Sequence, residues 1–220
     1  GSIAKALKSN VVKDDQMIFA LDKNSASLED AKKQGIINKA FLPEQTEEFL
    51  GACDFVFICL YPHVTISFLK EHKNHFKNKA IITDISGVKN LYLENYDSLC
   101  PTGADFILGH PMAGGEKEGF SNSNGSYFIN HNYIIIEDKS IKTPEGISQE
   151  EHKKNLEFFK ELVQKMGFSK ITVTDCNTHD NKIGFTSQLC HVVASAMVES
   201  AEDKEITSFG GGSFEDLTRI

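Results

Sequence analysis

Asp54-Phe55-Val56-Phe57-Ile58-Cys59-Leu60 is a continuous apolar run of strand length behind a single acid. Strands buried on both faces of a parallel sheet have this composition, whereas half-exposed strands alternate apolar and polar residues. The run stops at Tyr61-Pro62, and a helix is expected to follow through Phe68-Leu69. Ala80-Ile81-Ile82-Thr83-Asp84 repeats the pattern, with Ile85-Ser86-Gly87-Val88-Lys89 behind it. Phe106-Ile107-Leu108 is a third, shorter run. Strand and helix alternating at short intervals predict an α/β fold, a doubly wound sheet with a parallel core.

The same pattern extends in both directions. Upstream, Gly1 to Lys8 opens a helix with Ile3, Ala4 and Leu7 on one face. Gly1-Ser2 fits a cloning remnant, and equally the tail of a glycine-rich phosphate loop. Met17-Ile18-Phe19-Ala20-Leu21-Asp22 reads as a strand ending in an acid. Asp22 falls about 20 residues after the helix start, where dinucleotide-binding units place a ribose-binding carboxylate. An acid there favours NAD over NADP, whose 2′-phosphate it would repel. The alternative is an Asp that caps the next helix, Leu28 to Lys33.

Downstream, the Gly, Ser and Asn content between Gly114 and Asn132 predicts a mobile surface loop. Tyr133 to Ile136 and Ile171 to Thr174 read as strands. Between them Glu150 to Met166 is an amphipathic helix closed by Gly167. From Thr178 the texture changes, and Ile183 to Glu202 reads as one long helix of small and apolar residues. The expected domains are therefore 1–176, with the sheet, and 177–220, the beginning of an all-helical region.

Composition narrows the function classes. A net charge of −8 argues against non-specific nucleic-acid binding, which needs a basic surface. No apolar run approaches the roughly 20 residues needed to span a bilayer. Five cysteines without C-x-x-C spacing suggest neither a disulfide framework nor a zinc site, and fit free thiols in a cytoplasmic protein.

The chemistry-bearing stretch is Gly109-His110-Pro111-Met112-Ala113-Gly114-Gly115-Glu116. His110 follows an apolar run at once, and Pro111 lacks the N–H that strand pairing would use. An imidazole is thus expected at a strand mouth, where open α/β sheets bind ligands. A histidine in a simple turn is the other reading. His179 and His191 lie twelve positions apart, a spacing that does not suggest a metal site.

Taken together, these motifs resemble the prephenate dehydrogenase family, which includes arogenate dehydrogenases. The resemblance rests on Asp84-Ile85-Ser86-Gly87-Val88-Lys89, on Gly109 to Glu116 with Gly119, on His179-Asp180 with His191, and on Gly211-Gly212-Ser213-Phe214-Glu215-Asp216-Leu217-Thr218-Arg219-Ile220. It runs through nearly the whole chain in order. It implies a Rossmann-like, mostly parallel sheet followed by a helical domain that forms a homodimer. It implies oxidative decarboxylation of prephenate to 4-hydroxyphenylpyruvate with hydride transfer to NAD, in tyrosine biosynthesis.

By the same resemblance His110 hydrogen-bonds the substrate's ring hydroxyl, and Glu116 is an acid in the active-site loop. His179 and His191 line the substrate pocket. Arg219 grips a substrate carboxylate, with Asp216 near enough to orient it. Cofactor contacts fall at Gly1 and Ser2, at Asp22, along Leu60, Tyr61 and Pro62, and around Ser86.

Two departures stand out. The family order after the aspartate is Gly-Ser-Val-Lys, and here it is Ser86-Gly87-Val88-Lys89, so the pocket serine's position is Gly87. The resemblance also implies a first strand, leading glycines and further helices outside these 220 residues. Two other readings remain open at this point. One is another NAD-dependent dehydrogenase, such as a 3-hydroxyacid type, which would lack the His110 loop. The other is a non-catalytic ligand-binding fragment, which substrate-dependent NAD reduction would rule out.

Overall fold

β3 (Phe55–Ile58), β4 (Ile81–Asp84) and β5 (Asp105–Phe106) form a parallel sheet in the order β3-β4-β5. The computed structural model describes residues 1–115, 117–201 and 205–218. Register explains why these runs are apolar throughout. Phe55 pairs with Ile81, and both belong to the cluster around α6 (Gln149–Lys165), where Phe55 and Phe57 meet the buried Phe159. Ile82 and Phe106 pair on the opposite face. There Phe106 meets Tyr92 and Tyr96 of α5 (Asn90–Leu99). α5 in turn packs beside α4 (Pro62–His72). Helices thus cover both faces of the sheet, as a doubly wound arrangement requires.

Two further sheets complete the region. β1 (Phe19–Leu21) pairs in parallel with β2 (Lys39–Phe41). α1 (Ser2–Asn10) packs on both core clusters, since Leu7 touches each. α2 (Ser25–Lys33) is capped by Asn24, whose side chain accepts the Ser27 N–H. α3 (Thr46–Ala52) leads into β3. β6 (Gly109–Pro111), β7 (Asn132–Ile136) and β8 (Lys170–Thr174) form the third sheet, antiparallel at β6–β7 and parallel at β7–β8. Residues 105–111 join the second sheet to the third, with Ile107 N–H donating to Ile82 O and Ile136 N–H to Leu108 O.

Three local expectations change. The strand does not stop at His110, because His110 pairs with Ile134 and Pro111 with Tyr133. Gly109 directs its N–H away from β7, to Asp84, and Pro111 two residues later has the same phase. Its missing N–H therefore costs no ladder bond. The segment from 117 to 131 lies at the surface as expected but has regular local structure. It contains 3-10 turns at Phe120–Asn122 and Gly125–Phe128, and Phe128 is buried in the core. The long helix has a π-type turn at Gly184–Gln188 between α7 (Cys176–Ile183) and α8 (Leu189–Glu199).

Contacts divide the chain into Gly1–Cys176 and Asn177–Ile220. The second unit carries α8 and α9 (Gly212–Thr218). Among the described residues no helix is long and apolar enough to cross a membrane.

Candidate active site

β4 ends in Asp84, and everything around its carboxylate is buried. Asp84 and Lys89 are both fully shielded from solvent. Lys89 Nζ donates to Asp84 Oδ1 at 2.8 Å, to Oδ2 at 2.7 Å and to Gly109 O at 2.7 Å. Asp84 also accepts the Ser86 N–H at 2.9 Å and the Gly109 N–H at 3.1 Å. A buried ion pair is tolerable only with such saturation, since each charge has lost its water. Lys89 further lies 5.4 Å from the centre of the Tyr92 ring. Burial, then the Asp84 charge, pushes the Tyr92 phenol up to about 12.

The histidine is built onto this ion pair. Gly109, directly before His110, has its N–H held by Asp84 and its C=O held by Lys89. A side chain at Gly109 would collide, because its Cβ would lie 2.6 Å from Tyr133 Oη and 2.9 Å from Thr83 Oγ1. The turn after Asp84 flanks the imidazole. A Cβ at Gly87 would lie 3.5 Å from His110 Cε1 and 3.6 Å from Nε2. Ser86 does not share this edge through its hydroxyl, which sits 2.6 Å from Tyr92 Oη in the interior. His110 itself is half-buried.

The other residues expected at the site in the first unit lie at helix starts or just after strand ends. Gly1 precedes α1, and a Cβ there would fall 2.6 Å from Ser123 Cβ, so that position has room for backbone only. Ser2 Oγ accepts the Asn124 N–H at 3.0 Å. Asp22 follows β1 with its carboxylate exposed, and Oδ1 accepts the Asn24 N–H at 2.9 Å. Leu60 and Tyr61 are exposed beyond β3, and Pro62 opens α4. Tyr61 Oη donates to Glu118 Oε1 at 3.0 Å, tying the segment after His110 to the β3 mouth. That hydrogen bond, and then the Glu118 charge, raises the Tyr61 phenol above its ordinary value.

In the second unit His179 is buried, with Nδ1 2.7 Å from Asp180 Oδ1. His191 is exposed on α8, and Asp216 is exposed on α9. Glu116 and Arg219 lie outside the described residues.

Two family profiles match this chain. The one described as prephenate dehydrogenase, nucleotide-binding domain, covers residues 3–168. The chain belongs to the prephenate dehydrogenase family. The profile described as prephenate dehydrogenase, dimerization domain, covers residues 175–220. Among curated relatives, the prephenate dehydrogenase of Lactococcus lactis is 30% identical over 86% of this chain and 50% of its own. That of Bacillus subtilis is 26% identical over 100% of this chain and 57% of its own. The chain thus spans about half the length of these relatives. The crystal structure of the Aquifex aeolicus prephenate dehydrogenase, in complex with hydroxyphenyl propionate and NAD+, superposes with a TM-score of 0.81. Identity is 26%, covering 99% of this chain and 72% of that one.

Within this family member, His110 and Gly87 are brought together, while the Ser86 hydroxyl faces α5. Sequence reasoning missed the Asp84–Lys89 pair. Its only linear trace is an acid closing an apolar run, with a lysine five positions on and no other charge between them. It also missed the Tyr61–Glu118 bond, whose partners are 57 positions apart.

Proposed function

We propose that the protein catalyses NAD-dependent oxidative decarboxylation of prephenate to 4-hydroxyphenylpyruvate, a step toward tyrosine. The observation that carries this reading is the His110 imidazole edge lying against Gly87, on a backbone held by a buried ion pair at the mouth of the nucleotide-binding sheet. The cofactor side fits the same reading. The N-terminus of α1, with its unpaired peptide N–H groups, suits a diphosphate, and the exposed Asp22 carboxylate suits a ribose diol. Leu60, Tyr61, Pro62 and the Ser86 main chain flank the same strand ends. NAD, when bound, supplies the acceptor for the hydride that leaves ring C4.

The residues of this chain then have three tasks. They hold C4 in line with the acceptor, which removes much of the entropic barrier. Neutral His110 takes the C4 hydroxyl proton as carbonyl character grows, a role suited to an imidazole near pH 7. Cationic Arg219 binds a substrate carboxylate in an otherwise acidic protein. The family resemblance assigns Glu116, His179 and His191 to the substrate as well. As the ring carboxylate leaves as carbon dioxide, its bonding electron pair completes the aromatic ring, and the phenolate regains a proton. Pairing of two copies through the helical region belongs to the same proposal. The match to a dimerization domain supports it, as do the exposed Phe185, Val192 and Val193.

The test is nicotinamide reduction by the full-length protein with NAD and prephenate, run beside arogenate. Reduction with prephenate is expected, with a turnover lowered by on the order of 10²-fold in His110→Asn and substrate affinity little changed. Reduction with arogenate alone would reassign the substrate. No reduction with either, or a His110→Asn enzyme of normal turnover, would overturn the proposal.

A further inference from the structure

We infer that Asp84 and Lys89 are positioning residues for His110, a single buried ion pair that fixes both the strand carrying the imidazole and the turn beside it. This rests on the reading of His110 as the proton acceptor. The geometry is specific. Lys89 holds the carbonyl of the peptide that contains the His110 nitrogen, through its 2.7 Å bond to Gly109 O. Asp84 holds the preceding peptide through the Gly109 N–H. The same carboxylate accepts the Ser86 N–H and so sets the turn that brings Gly87 against the imidazole edge.

An ion pair that served only to stabilise the interior would have no need to grip both peptides of one glycine. Here three hydrogen bonds converge on that residue and on the turn facing its neighbour. Rotation of β6 relative to β4 would break two charge-assisted bonds at once, in a site where neither charge can reach water. The backbone that carries His110 is therefore held by charged groups on both sides of Gly109. Misplacement of a reacting group by about 1 Å costs roughly 10²-fold in rate.

The experiment is a double-mutant cycle in the full-length enzyme. Asp84→Asn with Lys89→Met removes the charge from both partners together and keeps an acceptor at position 84. Circular dichroism confirms the fold. Prephenate turnover is then expected to fall roughly 10–100-fold, with NADH affinity within about threefold of the parent. In the His110→Asn background the same pair of changes should cost less than about threefold more, because the residue it serves is gone. A purely structural pair would instead lower turnover by the same factor in both backgrounds, or leave turnover per folded site unchanged, and either result overturns the inference. Should the double variant not fold, Asp84→Asn with Lys89→Gln, which is equally charge-free and fills the cage with amides, enters the same cycle with the same deciding outcomes. An inactive parent enzyme, or a fully active His110→Asn, is a failure of the functional reading and removes the inference with it. An active parent with additive losses removes the inference alone.

Discussion

Asp84 and Asp105 are both completely buried carboxylates on neighbouring parallel strands, and they are held in opposite ways. Asp105 pairs with Ile81, so it lies at the start of β4, while Asp84 closes that strand. Asp84 is answered by a lysine with no exposure of its own and by peptide N–H groups. Asp105 is answered from α6 by His152 at 2.9 and 3.0 Å and by Asn155 at 2.9 Å, and His152 is 29% exposed. One end is a closed ionic cage tied to the backbone of the candidate catalytic histidine. The other is a side-chain clamp that fastens a surface helix to the sheet and opens onto solvent. Burial of an acid alone thus says little about its role, and the partner chosen to neutralise it says much.

The largest expected effect breaks the closed end. Lys89→Met alone leaves Asp84 charged with no cation and should destabilise the fold by about 3–5 kcal/mol. Asp84→Asn with Lys89→Met should recover most of that loss, since no isolated charge remains. Denaturant melts of the two variants compare them directly, and equal losses would mean that the charge is not what makes the site costly. The next effect is steric. Gly109→Ala places a methyl 2.6 Å from Tyr133 Oη and 2.8 Å from its Cε1. Overpacking of this kind costs about 1–3 kcal/mol, and an unshifted thermal midpoint would show that the cage yields easily.

The two ends also differ in how far the sequence announces them. The apolar runs at 55–58 and 81–84 mark buried parallel strands because both faces are covered, and that composition survives without any knowledge of the partners. β2 at Lys39–Phe41 escapes, since three residues with an exposed lysine carry no period. α3 and α5 escape because polar residues and a tyrosine pair obscure their apolar faces. That His110 directly follows an apolar run, between Gly109 and Pro111, was legible, but it does not end a strand. Its continuation into an antiparallel pair was not, because the phase of Pro111 depends on where Gly109 sends its N–H. The swapped Ser86-Gly87 was visible in sequence, and only the fold shows that the Ser86 hydroxyl turns to Tyr92. Long-range electrostatic partners such as Asp105 and His152, 47 positions apart, leave no local pattern at all.

The smallest effect sharpens the contrast by pH. The hydrogen bond to Asp105 raises the His152 imidazole above its ordinary value of 6.5, with the Asp105 and Glu137 charges acting in the same direction and burial opposing them. The native state therefore holds this proton more tightly than the unfolded chain. Its stabilisation is fully present below the unfolded value and is lost as pH rises through the higher folded one. Because His152 is partly solvated, the loss should be on the order of 1 kcal/mol or less. Comparing the stability of the parent with that of His152→Gln from pH 6 to pH 8 isolates this contribution from the other histidines. The parent should fall relative to the variant as pH rises. Parallel curves would mean that Asp105 is satisfied by Asn155 and a neutral imidazole alone.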